Sequence, residues 1–215
     1  TPGELSLELA AVRQILHLAM RDLTVRGALP TTRFEPIVIS GSALSRTVTP
    51  VQSLLTILDG IQPLGICPMI LDKHGIVPVL GAIAEFNPLL AVQVLESTAF
   101  TNLATVVNID SKARYGVTVM TALLEYPDGS VMETEVKQGS IASLPLASGV
   151  TGQLQVRMLR RGEIEDTTIT NEPVKVRGGV CGVVLDARGR PLKLSANDEV
   201  RRERFKEWEF LLGEK

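Results

Sequence analysis

A short loop of small residues is the clearest candidate for ligand chemistry in this sequence of 215 residues. Residues 34–45 read Phe-Glu-Pro-Ile-Val-Ile-Ser-Gly-Ser-Ala-Leu-Ser, and the β-branched run 37–39 is typical of a buried strand. Ser40, Gly41 and Ser42 follow it, and such small residues let the backbone turn tightly or a ligand approach closely. A strand, a small-residue loop and a helix in this order direct backbone N–H groups toward an anion. The pattern therefore indicates either a phosphate contact or an ordinary tight turn.

A pair of arginines near the end of the chain is the second candidate. Residues 186–190 read Asp-Ala-Arg-Gly-Arg and stand between the apolar runs 180–185 and 191–194, which predicts a β-hairpin. At its tip, Arg188 and Arg190 could present two guanidinium groups to an acidic partner or a phosphate. The alternative is a solvated hairpin turn that binds nothing.

The sequence offers no arrangement for stand-alone catalysis. We find no nucleophile with a neighbouring base, no paired catalytic carboxylates and no P-loop with its lysine. Asp72 is the only acid at a predicted strand end in the first part of the chain, and a turn or cap is its favoured role. Neither His17 nor His74 lies at a metal-ligand spacing from a cysteine, so we assign no metal site.

The elements that must position the small-residue loop alternate between helix and strand. Helices are predicted over 5–25, 51–61, 76–86 and 88–95, and strands over 37–39 and 66–71. Thr49 is the predicted N-cap of the second helix, with Pro50 at its first position. This alternation predicts a parallel α/β layer over residues 1–98. Because two strands are too few for such a sheet, the others must come from elsewhere in the chain or from a segment outside it.

The periodicity changes near residue 99 and favours short strands. They are predicted over 103–109, 116–126, 131–136, 141–146, 153–159, 174–176, 180–185 and 191–194, with a strong hairpin turn at 127–130. Regular short strands predict a mainly β barrel or sandwich over residues 99–196. Asn197 caps a last helix over 197–215, in which Phe205 and Trp208 are expected to dock on the body of the protein.

Composition narrows the class of protein. The chain is 45% apolar, 21% charged and only 4% aromatic, which predicts a folded domain with an aliphatic core. Its net charge is −2 and its basic stretches are limited to 160–161 and 201–202, so we expect no nucleic-acid partner. No apolar run approaches the ~20 residues that a membrane span needs. Cys67 and Cys181 have apolar neighbours and are expected to be buried thiols, which fits a reducing, cytoplasmic compartment.

Several of these stretches resemble one family. The similarity is found at residues 39–45, 64–72 and 79–82, and more specifically in the tail 176–192 with Arg201-Arg202 and Trp208. At these positions the chain is similar to the second half of the glutamate-mutase accessory proteins. These are also called the MutL family, are unrelated to mismatch repair, and look like relatives of the actin, sugar-kinase and heat-shock-chaperone ATPases. The resemblance covers essentially the whole chain, but only the C-terminal part of a full-length member. The start at Thr1-Pro2-Gly3 also suggests a piece of a longer protein, although removal of an initiator Met would look the same.

The resemblance implies a fold and a role. It implies half of an actin-like ATPase fold with an added β domain, and a nucleotide contact at Ser40, Gly41 and Ser42, where Gly41-Ser42 replaces the superfamily's usual Gly-Gly pair. The first lobe, with its metal-binding and phosphate-binding acids, would lie upstream of this chain. ATP and Mg are therefore expected in the full-length protein, and no cofactor in this chain alone. The implied role is an ATP-using, chaperone-like reactivation of a cobalamin-dependent mutase, whose subunit would be the partner.

Three functions remain open at this point. The first is the accessory or reactivating protein that the resemblance implies. The second is the nucleotide-closing lobe of a sugar-kinase or activator-type enzyme. The third is a structural oligomerisation module, in which the chain forms a homo-oligomer. In all three, we do not expect this chain alone to hydrolyse ATP, because the sequence lacks an acid cluster that could bind a metal.

Overall fold

A computed structural model describes residues 2–28, 34–159, 162–163 and 172–213 of the chain. The helices are α1 (Pro2–Val25), α2 (Ser42–Ser45), α3 (Pro50–Ile61), α4 (Val77–Ala84), α5 (Pro88–Leu95) and α6 (Asp198–Leu211). The strands are β1 (Ile37–Ser40), β2 (Gly65–Asp72), β3 (Phe100–Asn108), β4 (Asp110–Ser111), β5 (Thr118–Glu125), β6 (Val131–Lys137), β7 (Ile141–Leu144), β8 (Thr151–Met158), β9 (Gly162–Glu163), β10 (Val174–Arg177) and β11 (Val183–Asp186). The fold is mixed α/β, as predicted.

The central sheet has five strands in the order β1-β2-β3-β11-β7. β1 and β2 are parallel, as are β3 and β11, whereas β2 runs antiparallel to β3. The sheet therefore takes strands from both sides of residue 98, which confirms that the strands missing from the first part come from elsewhere in the chain. Its two ends differ. We call the carboxyl ends of β1 and β2, at Ser40 and Asp72, the Ser40 end, and those of β3 and β11, at Asn108 and Asp186, the Asp186 end.

A second sheet of four antiparallel strands runs in the order β10-β8-β5-β6. The predicted turn at 127–130 joins β5 to β6, and the Ser130 N–H donates to Asp128 Oδ1 at 2.9 Å. Two further short strands, β4 and β9, pair with each other. Between residue 99 and α6 the described regular elements are strands, but β3, β7 and β11 belong to the central sheet rather than to a separate barrel or sandwich.

The two faces of the central sheet contact different partners. Along β3 and β11, Val106 and Val184 pack with the helices, whereas Val107, Val183 and Leu185 pack with the second sheet. This alternation follows from the two-residue period of a strand. The helical side of the core includes Leu54, Leu55, Leu58 and Met69, and the other side Met120, Leu124, Leu154 and Val156. Helices thus cover one face and the second sheet covers the other.

The final helix docks on this body as predicted. Asn197 Oδ1 accepts the N–H groups of Glu199 and Val200, which caps α6. Trp208 is buried, and its ring meets the ring of Phe205 edge-on at a centroid distance of 5.2 Å. The indole Nε1–H donates to the Gly139 carbonyl at 3.3 Å, so the buried polar atom of Trp208 has a partner.

The segment after β11 differs from its prediction. In residues 187–197, all of which the structure describes, no strand forms, so the predicted hairpin around 186–190 is wrong. The Leu192 N–H donates instead to Gln62 Oε1 at 2.7 Å, just after α3. The Arg188 side chain turns inward rather than standing on a solvated tip. The chain therefore crosses toward α3 after β11 instead of returning along it.

Helices α4 and α5 form an apolar pair on the outside. Leu80 and Ala91 are buried, whereas Phe86 is 88% exposed and Leu89 is 66% exposed. Asn87 separates the two helices and caps α5 through a hydrogen bond from the Leu90 N–H to its Oδ1 at 3.1 Å. No helix within the described part of the chain is both long and apolar enough to cross a membrane.

The crossing of the β10–β11 connection over β3 depends on Gly179. A Cβ on Gly179 would lie 2.5 Å from the carbonyl carbon and oxygen of Leu103, so the backbone would have to move. We expect Gly179→Ala to lower the free energy of unfolding by about 2 kcal/mol or more, measured by urea denaturation. Gly81→Ala is the matched control, because a Cβ there meets nothing within 4 Å and alanine favours helix by roughly 0.5–1 kcal/mol. Equal stability of the two variants would contradict the crossing.

Candidate functional site

The predicted nucleotide-contact residues lie at the Ser40 end. Ser40, Gly41 and Ser42 are all exposed and join β1 to the single turn α2. Gly41 has φ 120° and ψ 147°, which is a backbone region open essentially to glycine. A Cβ on Gly41 would meet nothing within 4 Å. The glycine is therefore required by backbone conformation, and the space above it is open to a ligand.

A groove opens beside this loop. Its volume is about 400 Å³, and it is lined by Ser40, Gly41 and Ser42 together with apolar side chains of α1, α3 and β1, including Val12, Leu16, Ile37, Ile57 and Ile61. The volume lies within the usual range for small-molecule sites. Among the described lining residues, none carries a charge. Such a groove suits a flat apolar group better than a phosphate, whose contacts would be limited to the loop.

The arginine that follows the loop in sequence is already paired. Arg46, just after α2, donates from Nη2 to Glu8 Oε2 of α1 at 2.6 Å and from Nε to the Ser42 carbonyl at 3.1 Å. Both side chains of this ion pair are largely exposed. Arg46 thus holds α1 against α2, and a phosphate would have to compete with Glu8 for it.

Asp72 neighbours Ser40 in the sheet and acts as the predicted turn and cap residue. Its carboxylate is buried and accepts the N–H groups of His74 at 3.2 Å and Val77 at 3.0 Å. Burial alone would raise the pKa of Asp72, but the N–H groups of Val77, Ile76, His74 and Gly75 outweigh it and lower the pKa below its usual value. These bonds fix the start of α4 and provide the hydrogen-bond donors that a buried carboxylate needs.

A buried arginine–carboxylate cluster occupies the Asp186 end; we define it as Arg13, Asp59, Asp186, Arg188 and Arg190. Arg188 donates to Asp186 from Nε at 3.0 Å and from Nη2 at 2.9 Å, and to Asp59 from Nη1 at 2.8 Å. The side chains of Arg188 and Asp186 are 0% exposed. Arg13 Nε lies 3.1 Å from Asp59 Oδ2, an ion pair without hydrogen-bond alignment. Every buried charge of the cluster therefore faces an opposite charge.

Arg190 extends the cluster to the ends of β2 and β3. Its Nη2 donates to Asn108 Oδ1 and to Asp186 Oδ2, both at 2.8 Å. Its Nε donates to the Pro63 carbonyl at 3.4 Å. Trp208 completes the enclosure, because the Arg188 Cζ lies 4.6 Å from the centroid of its ring. The guanidinium groups of Arg188 and Arg190 thus contact residues from β3, β11, the α3–β2 loop and α6.

The arginines hold the carboxylate of Asp186 in its charged form. Burial would raise the pKa of Asp186, but the charges of Arg188 and then Arg190, with their hydrogen bonds, outweigh burial and hold the pKa far below its usual value. The carboxylates of Asp186 and then Asp59 likewise raise the pKa of Arg188, against the effect of its burial. A carboxylate held charged in this way cannot serve as a general acid near neutral pH.

The cluster changes the interpretation of Arg188 and Arg190. The expectation of a solvated turn at Arg188 is wrong, because the guanidinium is enclosed by Asp59, Asp186 and Trp208. Its side chain is 0% exposed and donates to Asp186 and Asp59, so it contributes to a phosphate contact only through its charge. The Arg190 side chain is only 7% exposed and donates to Asn108 and Asp186.

Sequence reasoning missed Asp59. It is the one acid among the buried residues of α3, which are otherwise apolar except for Ser53 and Thr56, and it is 4% exposed. A single acid on the buried face of a helix requires a partner, and this signal was present in the sequence. The partner could not be deduced locally, because Arg188 lies 129 positions later in the chain.

The two cysteines are buried free thiols, as predicted. Burial raises the pKa of Cys67 to about 12 and that of Cys181 to about 11, so neither thiol is activated as a nucleophile. Within the ranges that the structure describes, no group of three or more His, Cys, Asp or Glu residues could hold a metal ion. Comparisons with protein-family models, curated proteins and solved structures give no match to this chain.

The cluster predicts an effect of mutation at neutral pH. Asp186→Asn leaves the buried Arg188 without its main counter-charge, and we expect a loss of about 3 kcal/mol or more in the free energy of unfolding. Glu8→Gln removes one partner of the exposed Arg46 ion pair and should cost less than about 1 kcal/mol. Urea denaturation at pH 7 measures both losses. Equal losses in the two variants would contradict a structural role for the cluster.

The cluster also predicts a pH dependence. The pKa of Asp186 is lower in the folded chain than its usual value of 3.8. Its contribution to stability is therefore complete above that value and is lost as the pH falls below it. We expect the stability of the wild-type chain to decrease from pH 4 to pH 2 more steeply than that of Asp186→Asn. Parallel curves for the two proteins over this range would show that Asp186 is not held charged by its arginines.

Proposed function

We propose that this chain is the nucleotide-contacting second lobe of an actin-like ATPase that serves as an accessory, reactivating protein for a cobalamin-dependent mutase such as glutamate mutase. The observation that carries the proposal is the open, glycine-dependent loop 40–42 beside a groove of about 400 Å³. This loop is where the resemblance to the MutL family puts the nucleotide. The parallel pair β1–β2, with its helices on one face, is compatible with half of such a fold.

The groove favours the nucleoside part of the ligand. Its lining is apolar, which suits an adenine ring, and its rim offers hydroxyl and N–H groups for a ribose. Phosphates would extend beyond the rim toward the first lobe that the proposal puts outside this chain, and that lobe would supply the Mg site and its acids. We therefore expect this chain to bind adenosine and ATP with similar, weak affinity and little dependence on Mg. Tight binding would require the full-length protein.

The mutase role rests on the family resemblance and is tested separately. The full-length protein, incubated with ATP, should restore activity to a glutamate mutase whose cobalamin has been inactivated. The same protein with a substitution in the loop 40–42 that prevents nucleotide binding should not restore the mutase activity. Restoration without ATP, or no restoration by the unaltered protein, would argue against the reactivating role. Nucleotide binding without reactivation would favour the alternative, in which the chain is the nucleotide-closing lobe of a sugar-kinase or activator-type enzyme.

The loop itself predicts a difference between two surface variants. Ser42→Glu puts a carboxylate at the rim, and we expect the affinity for ATP to decrease by roughly fivefold to tenfold, because like charges repel at this distance. Ser148→Glu adds the same charge to an exposed turn between β7 and β8 and should leave ATP affinity unchanged. Calorimetry measures both affinities, and circular dichroism shows that both variants fold. Substitution of Gly41 is less suitable, because its φ of 120° would strain any other residue.

Equal ATP affinity for Ser42→Glu, Ser148→Glu and the wild-type chain would remove the loop from the nucleotide site. Gly41 would then be an ordinary turn glycine, and the structural oligomerisation module would become the better proposal.

A further inference from the structure

A second cavity lies at the Asp186 end, next to the arginine–carboxylate cluster. Its volume is about 570 Å³, which is large enough for a small organic molecule. Strand β4 and the loops after β4, β6 and β11 contribute to its wall, and α6 contributes Arg204 and Trp208. Because β2 runs antiparallel to β3, this cavity and the groove beside Ser40 lie at opposite ends of the central sheet.

The wall of this cavity is positively charged. Lys112, Lys193 and Arg204 line it, in addition to Arg188 and Arg190 of the cluster. Among its described lining residues Asp110 is the one carboxylate, and it already accepts the Arg190 backbone N–H at 3.4 Å. The cluster does not cancel this charge, because its three arginines face only two carboxylates. The excess positive charge favours an anionic ligand.

The cations on the wall are available to a ligand. Lys112 and Lys193 are exposed, and neither forms an ion pair with another residue in the described part of the chain. Arg204 is half-buried, and its Cζ lies 4.5 Å from the centroid of the Tyr115 ring. This stacking orients the guanidinium but leaves its N–H groups free to donate to a phosphate.

One buried polar atom in the wall has no partner. Gln138 Oε1 is buried, and no hydrogen-bond donor reaches it from the residues that the structure describes. A buried acceptor without a donor costs free energy, so a ligand that supplies a hydroxyl or N–H group here would recover it. The cavity is therefore complementary to a molecule that carries both an anionic group and a hydrogen-bond donor.

We infer that this cavity binds a small phosphate ester that carries hydroxyl groups, of the sugar-phosphate class. Lys112, Lys193 and Arg204 receive the phosphate, and Gln138 Oε1 accepts a hydrogen bond from a hydroxyl. The buried cluster holds the loop 188–193 in place, and its net positive charge adds to that of the cavity wall. This binding does not depend on the nucleotide contact at Ser40, because the two sites share no residue.

Trp208 gives a direct readout, because it lines the cavity and is the only tryptophan in the chain. Ribose 5-phosphate, inorganic phosphate and ribose are titrated into the full 215-residue chain, with tryptophan emission and calorimetry as measurements. We expect ribose 5-phosphate to bind more tightly than inorganic phosphate, and ribose to change neither signal. Raising the salt concentration should weaken binding of both anions.

Matched variants locate the site. We expect Lys112→Gln and Lys193→Gln each to lower the affinity for both ribose 5-phosphate and inorganic phosphate roughly tenfold, because each removes a charge-assisted hydrogen bond. Lys175→Gln removes an exposed lysine from β10 and should have no effect. Gln138→Met should abolish the advantage of ribose 5-phosphate over inorganic phosphate while leaving the affinity for phosphate intact. Circular dichroism confirms folding of each variant.

The same experiment can overturn the inference. No change in emission or heat with ribose 5-phosphate up to about 10 mM would show that the cavity does not bind this class. Equal weakening by Lys175→Gln would show non-specific binding to surface charge. Loss of ribose 5-phosphate binding in Ser42→Glu, with normal binding in Lys193→Gln, would place the phosphate ester at the Ser40 end instead.

Discussion

The enclosed guanidinium of Arg188 is the constraint on which the arrangement of layers depends. A buried charge is tolerated only where opposite charges and hydrogen bonds surround it, and here Asp186, Asp59 and the ring of Trp208 do so. These residues belong to β11, α3 and α6, so satisfying one guanidinium fixes three elements relative to one another. Replacing all of the charges with apolar residues need not lower stability, whereas removing one of them leaves the others unpaired. The cluster therefore restricts how β11, α3 and α6 can be arranged.

This arrangement puts an apolar groove and a positively charged cavity at opposite ends of the central sheet. The antiparallel pairing of β2 with β3 sends the carboxyl ends of the two parallel pairs in opposite directions. At the Ser40 end, an apolar groove meets a glycine-dependent loop. At the Asp186 end, lysines and arginines surround a larger cavity. The groove and the cavity have no lining residue in common.

Local signals predicted most of the elements but not the contacts that organise them. Thr49-Pro50, Asn87-Pro88 and Asn197 mark helix starts correctly, because capping depends on a few adjacent residues. The chain after β11 could not be predicted, because the bond from the Leu192 N–H to Gln62 joins residues 130 positions apart. The same limit applies to Arg188, whose sequence neighbours suggest a turn while its partner Asp59 directs it into the core. The loop 40–42 lies exposed at the carboxyl end of β1, and the strand that leads to it could be predicted from its own β-branched residues.

Backbone amide chemical-shift mapping by NMR tests the separation of the two sites most directly. ATP is titrated into the full chain labelled with ¹⁵N, and the shift of every assigned amide is followed. We predict that shifts concentrate at residues 40–44 and in β1, while Gly189 and the indole N–H of Trp208 do not move. Shifts at Gly189 and Trp208 with unchanged amides at 40–44 would contradict a nucleotide site at the Ser40 end.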